Sequence, residues 1–153
     1  MLKLTLFMHI MAALFWVGGM LFLTLVIAPF LSTLEPAKKS EIYKIVGTKF
    51  RFYGWIAIII LIVTGPLNLY YMGVPFSSLF DPAFHGTPYG RAVMMKLGFV
   101  VLLVLSSLFH DFYLGPKARG NRKLSRYAMI FGRSNLVVAI LIVIFAVFMR
   151  TGG

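Results

Sequence analysis

Four apolar stretches constrain this chain more than anything else in it: residues 4–31, 52–72, 89–114 and 127–149. Each reaches the roughly 20 residues that an α-helix needs to cross a hydrocarbon core of about 30 Å, and each is far too long for a strand. A chain of 153 residues, 60% of them hydrophobic and 12% charged, has no interior large enough to hide that surface from water. Inside lipid every backbone N–H and C=O must be paired within the protein, which leaves helices or a closed barrel. The expected fold is therefore all-α: an integral membrane four-helix bundle, a single transmembrane domain over residues 1–153. The first stretch is longer than the core of a secretory signal and lacks a small-x-small cleavage pattern, so it reads as a retained helix.

The net charge of +11 raises the question of a nucleic-acid partner. The distribution of charge answers it. Of 15 basic residues, 11 fall in two connections: Lys38, Lys39, Lys44, Lys49 and Arg51 in one, and Lys117, Arg119, Arg122, Lys123, Arg126 and Arg133 in the other. Basic residues flanking spans stay on the cytoplasmic side and meet anionic lipid there. The pattern predicts a multi-pass protein of the inner membrane with both basic connections cytoplasmic and both termini outside. The partner it implies is the bilayer and not a nucleic acid.

Local signals refine the elements. Glu35 and Pro36 open a stretch with Ile42, Ile45 and Val46 on one side and lysines on the other, predicted to lie along the cytoplasmic interface before the second helix. Pro66, within TGPLN, removes a backbone donor and predicts a kink. Thr87 and Pro88 read as the cap and first residue of the third helix, and Gly115 with Pro116 as its stop. No internal repeat is evident.

Chemistry-bearing residues are few. With no cysteine, disulfides, iron–sulfur clusters and thiolate metal sites are excluded. His9, Trp16 and Leu23 are spaced by seven and share a helix face, as do Lys96, Leu103 and His110. Ionisable groups in a span turn to the protein interior and mark functional sites. The first and third helices run in the same direction. His9 and His110 differ in depth by about 14 residues, or about 21 Å at 1.5 Å per residue. Two ligands of one ion sit only about 4 Å apart. The two histidines therefore belong to separate sites, an outer one around His9 and an inner one around His110. Lys96, Met8, Met11, Met94 and Met95 lie near the level of His9, and His85 is in the outer connection. The candidate metal ligands are His9, His85, His110, Met11 and Met95. The candidate cofactor contacts are His9, Trp16, Gly19, Lys96 and His110. The glycines, Gly19 among them, serve either close helix approach or space for a flat macrocycle.

These residues support three readings. Haem b held by histidine suits a helix bundle and implies a membrane oxidoreductase in electron transfer, with a quinone or another redox partner. Copper held by thioether and imidazole suits a methionine-rich outer half without thiolates. A structural or sensory protein would use His9 and Lys96 only to hold helices together. An assembly of identical copies fits any of the three.

The runs HIMAALFWVGG, FRFYGW, VTGPLN, YGRAVMMKL and FHDFYLGP resemble short members of the copper resistance D (CopD-like) membrane proteins, over nearly the whole chain. That resemblance implies a role linked to copper at the inner membrane. A more distant similarity is to membrane-bound protoporphyrinogen oxidases of the HemJ type, which bind b-type haem. It rests on a histidine ahead of a Trp–Gly pair and a lysine early in a later helix. It implies His9 as haem ligand, with Lys96 nearby.

Overall fold

A computed structural model describes residues 1–117 and 122–151, with the side chain of Arg122 outside the description. Arg119, one of the basic residues singled out above, also lies outside the described residues. Four helices are long and apolar enough to cross a membrane, and the described residues contain no strand. They are α1 (Leu2–Ser32), α2 (Pro36–Tyr71), α3 (Pro88–Lys117) and α4 (Arg122–Thr151). The protein is an all-α membrane protein of four spanning helices.

The chain divides into two compact units, Met1–Val74 and Pro75–Gly153. The first is a hairpin of α1 and α2. The three residues between these helices force them antiparallel, and the facing pairs His9 with Thr64, Trp16 with Gly54 and Gly19 with Phe50 follow that register. The second is a hairpin of α3 and α4, fastened at successive levels by Phe99 with Phe145, Ser106 with Asn135 and Phe109 with Phe131.

The spans differ from the apolar stretches at their ends. The amphipathic stretch after Glu35 is not a separate interfacial helix. It is the first part of α2, which runs without a break for 36 residues, about 54 Å. Only the part from residue 52 is apolar enough for hydrocarbon. Beyond that boundary the helix needs no apolar residues, and helical hydrogen bonding continues across it. Pro66 does not interrupt α2, although it leaves the Ile62 carbonyl without its usual helical donor. Gly73, at φ 87°, ends α2 in a left-handed turn, and the Val74 N–H reaches back to the Leu69 carbonyl at 3.0 Å.

Gly115 and Pro116 do not stop α3. The helix widens into a π turn over Phe109–Leu114 and continues through Lys117. α1 does the same, with a π turn over Leu23–Ile27 ahead of Pro29. The cause is shared. A proline ring presses on the carbonyl four residues earlier, Leu25 for Pro29 and Phe112 for Pro116, and a wider turn relieves that contact. A few positions of the two hairpins correspond at a spacing of 87 residues. Pro29 corresponds to Pro116, buried Trp16 to buried Leu103, buried Met20 to buried Ser107, and His9 to Lys96.

Candidate functional site

In the first hairpin His9 is half-buried and its Nδ1 lies 2.8 Å from Thr64 Oγ1. The Thr64 hydroxyl has one proton, and it goes to the Ile60 carbonyl at 2.6 Å. Its oxygen must then accept from the imidazole, so Nδ1 carries the hydrogen and Nε2 the lone pair. The ring rests on the bare backbone of Gly65: a Cβ there would stand 3.5 Å from His9 Cε1. One turn further on, Asn68 is 7% exposed, and its Oδ1 has no partner among the described residues. Trp16 is buried with its indole against Gly54. Gly19 faces the Phe50 ring so closely that a Cβ would overlap it. Trp16 and Gly19 both take part in the packing of α1 against α2. Met8 and Met11 line an apolar groove of about 320 Å³ with Phe7, Phe15, Tyr53 and Ile60, and His9 is not part of that lining.

In the second hairpin the connection ahead of α3 is built as a platform. A short helix, Pro82–Gly86, is capped by Asp81, whose Oδ1 accepts the Ala83 N–H at 2.9 Å. Thr87 caps α3: its Oγ1 accepts the Gly90 N–H at 2.9 Å and donates to the Phe84 carbonyl at 2.8 Å. After Pro88, three residues hold the platform down. The Tyr89 ring meets Phe84 edge to face at 6.2 Å. Gly90 has no side chain, and any Cβ would run into the Phe84 carbonyl. Arg91 Nη1 donates to the Gly86 carbonyl at 3.0 Å. The YGR run is therefore a clamp on residues 84–86.

The clamp positions His85. Its Nε2 sits 2.9 Å from the Leu79 carbonyl. A carbonyl only accepts, so Nε2 carries the hydrogen and Nδ1 the lone pair. His85 lines a cavity of about 510 Å³ together with Arg91, Met94, Met95, Phe145 and Phe148. One imidazole and two thioether side chains are among the lining of this open groove. A backbone carbonyl that fixes the second ring nitrogen is the usual support of a metal-binding histidine. Sequence reasoning proposed His85 and Met95 separately. It missed that the same cavity gathers both, and that Thr87, Gly90 and Arg91 hold the loop.

His110 lies in the π turn of α3, with Nδ1 2.8 Å from Asp111 Oδ1. One turn before it, the Asn135 amide bridges Ser106 at 2.5 Å and Ser107 at 3.3 Å, so that corner of the hairpin is tied by polar contacts. Lys96 is half-buried on α3. His9 and Met11 belong to the first hairpin, whereas His85, Met95, Lys96 and His110 belong to the second. Among the described residues no three His, Cys, Asp or Glu side chains converge.

The comparisons bear on this chemistry. The model of a family described as copper resistance protein D matches residues 45–149. That span contains His85, Met94, Met95 and His110, and it excludes His9 and Met11. A protein of Aquifex aeolicus (strain VF5), described as an uncharacterized protein, is 37% identical over 153 residues, covering 99% of this chain and 97% of that one. No solved structure matches at a significant level. The comparisons lead to copper, and nothing in them supports the expectation of haem b, a cytochrome or electron transfer. The chain belongs to the copper resistance protein D family.

Proposed function

We propose that the protein handles copper at the membrane, and that it takes copper(I) in the cavity where His85, Met94 and Met95 meet. The observation that carries this reading is that one imidazole and two thioether side chains line a single open groove, inside the segment that matches the family. These are neutral, soft donors, and soft donors without thiolate select copper(I) over the harder divalent ions. The Leu79 carbonyl fixes the His85 tautomer, so Nδ1 is the nitrogen offered to the metal. Phe145 and Phe148 supply the apolar part of the lining. Copper is the cargo here. By the distribution of basic residues, the cavity opens on the outer side. His9 and His110 lie outside it and serve the polar contacts of their own hairpins.

The test is an anaerobic copper(I) titration of the purified protein against a chromogenic copper(I) chelator. One copper per chain is expected. His85→Ala, and Met94→Leu with Met95→Leu, should each weaken binding by roughly tenfold or more, the usual scale for losses in and around a metal's ligand shell. His9→Ala should leave the copper load unchanged. Unchanged affinity in the His85 and methionine variants would overturn the reading. So would purified protein that is red, with a Soret band that disappears in His9→Ala.

A further inference from the structure

The two helices of the first hairpin place their apolar runs at different levels. Phe50 faces Gly19 and Thr64 faces His9. Residues 20–31 of α1 therefore run alongside residues 36–49 of α2. The α1 segment, MLFLTLVIAPFL, has no charge. Its Phe22, Leu25, Val26 and Phe30 are between 49% and 67% exposed. The α2 segment carries Lys38, Lys39, Lys44 and Lys49 against a single acid, Glu41. Lys38, Lys44 and Lys49 are exposed. An upright hairpin cannot serve both segments. With residue 52 at the hydrocarbon edge, residues 20–31 of α1, about 18 Å of helix, would stand in water. With those residues immersed, the lysines beside them would enter hydrocarbon, where charge is disfavoured.

A lean of the hairpin resolves the conflict. Along the register, the middles of the apolar runs 4–31 and 52–72 are offset by about six or seven residues, or about 10 Å. Packed helices lie about 8–10 Å apart. A lean of about 40° in the plane of the hairpin, at the upper end for membrane helices, brings the two middles to nearly one depth. At the turn end α1 is then the helix in the membrane, and α2 lies over it at the headgroups. We infer that the first hairpin is tilted in this way and that its turn end is a binding surface for anionic phospholipid. The exposed edge of α1 enters the acyl region, and Lys38, Lys44 and Lys49 take the lipid phosphates. Lipid is the occupant that suits both edges at once. A second copy packed on the α1 edge would bring another set of lysines to the same level.

The chain has no cysteine, so single nitroxides can be attached in Leu25→Cys and Ile45→Cys. Both positions are exposed, and they lie at nearly one level of the hairpin, on α1 and α2. The protein is placed in vesicles of phosphatidylcholine and phosphatidylglycerol, and collisions with oxygen and with a water-soluble nickel chelate read the depths. The label at 25 should meet oxygen and escape nickel. The label at 45 should meet nickel, at least about 5 Å nearer the headgroups. Equal depths would overturn the tilt. A label at 25 shielded from both reagents, with spin–spin broadening that grows with protein density, would place a second copy on that edge and overturn the lipid reading. In a second measurement, spin-labelled phosphatidylglycerol should be held at the protein surface in preference to spin-labelled phosphatidylcholine. Changing Lys38, Lys44 and Lys49 together to Gln should lower that preference by about twofold or more, and changing them to Arg should keep it. A preference that survives the Gln changes would overturn the assignment of the lysines.

Discussion

A methyl group at position 90 would run into the Phe84 carbonyl, and that carbonyl also accepts from Thr87 Oγ1. Gly90→Ala should therefore push the loop off α3 and carry His85 away from Met94 and Met95. Copper(I) affinity in the chelator titration should fall by roughly tenfold or more, while circular dichroism still reports a fully helical, inserted protein. An unchanged affinity would mean that the loop does not set the position of the imidazole. In the first hairpin, Thr64→Val would leave the His9 Nδ1–H without its acceptor. Polar contacts between membrane helices are worth about 0.5–1.5 kcal/mol. The variant should lose about that much stability in detergent unfolding and keep its copper load. Some of this was legible in the sequence. His9 stood out because an ionisable ring within an apolar run needs a reason, whereas His85 sat in an outer loop where a histidine has many uses. Thr64 and Gly90 did not, because a threonine in a helix and a glycine near a cap each have many uses, and only the facing backbone shows which one applies.

The four spans could be read from length and hydropathy alone, because the bilayer imposes both. What could not be read is where helical structure continues once the bilayer stops demanding apolar residues. Residues 36–51 carry an amphipathic pattern that fits a helix lying on the surface as well as one standing out from it. The structure joins them to α2 in one element. Spin labels at Lys38 and Ile59, both exposed, test this directly. In a continuous helix the 21 intervening steps span about 32 Å. A right-angle turn near Arg51 would bring the backbone positions to about 23 Å. The π turns before Pro29 and Pro116 were equally hidden. The proline signals appear to stop a helix, but the clash with a carbonyl four residues back is relieved by one wider turn, and the chain stays helical. The 87-residue correspondence between the hairpins escaped notice for a related reason. It joins only a few positions, Pro29 with Pro116 and buried Trp16 with buried Leu103, while buried Val93 answers to exposed Leu6 and His9 to Lys96.

At the scale of the whole molecule the proposed route of copper depends on which side of the membrane each end occupies. Four spans return the chain to the side on which it began. The connection between α1 and α2 therefore shares a side with the connection between α3 and α4. Most of the positive charge flanks those two connections, including Lys38, Lys39, Lys44 and Lys49 in the first part of α2, Lys117 at the end of α3 and Lys123 at the start of α4. Moving such clusters across the bilayer is disfavoured, so both should remain in the cytoplasm. The termini, and with them the short helix that holds His85 and the ends of α3 and α4 that hold Met95 and Phe148, should then face outward. A reporter active only in the cytoplasm, fused after Gly153, should be silent. The same reporter inserted after Lys39 should be active. A single cysteine introduced at exposed Phe80 should react with a membrane-impermeant maleimide added to intact cells. Activity of the fusion after Gly153, together with protection of the cysteine at position 80, would place the His85 cavity on the cytoplasmic side. Copper would then be collected from within the cell and not from outside it.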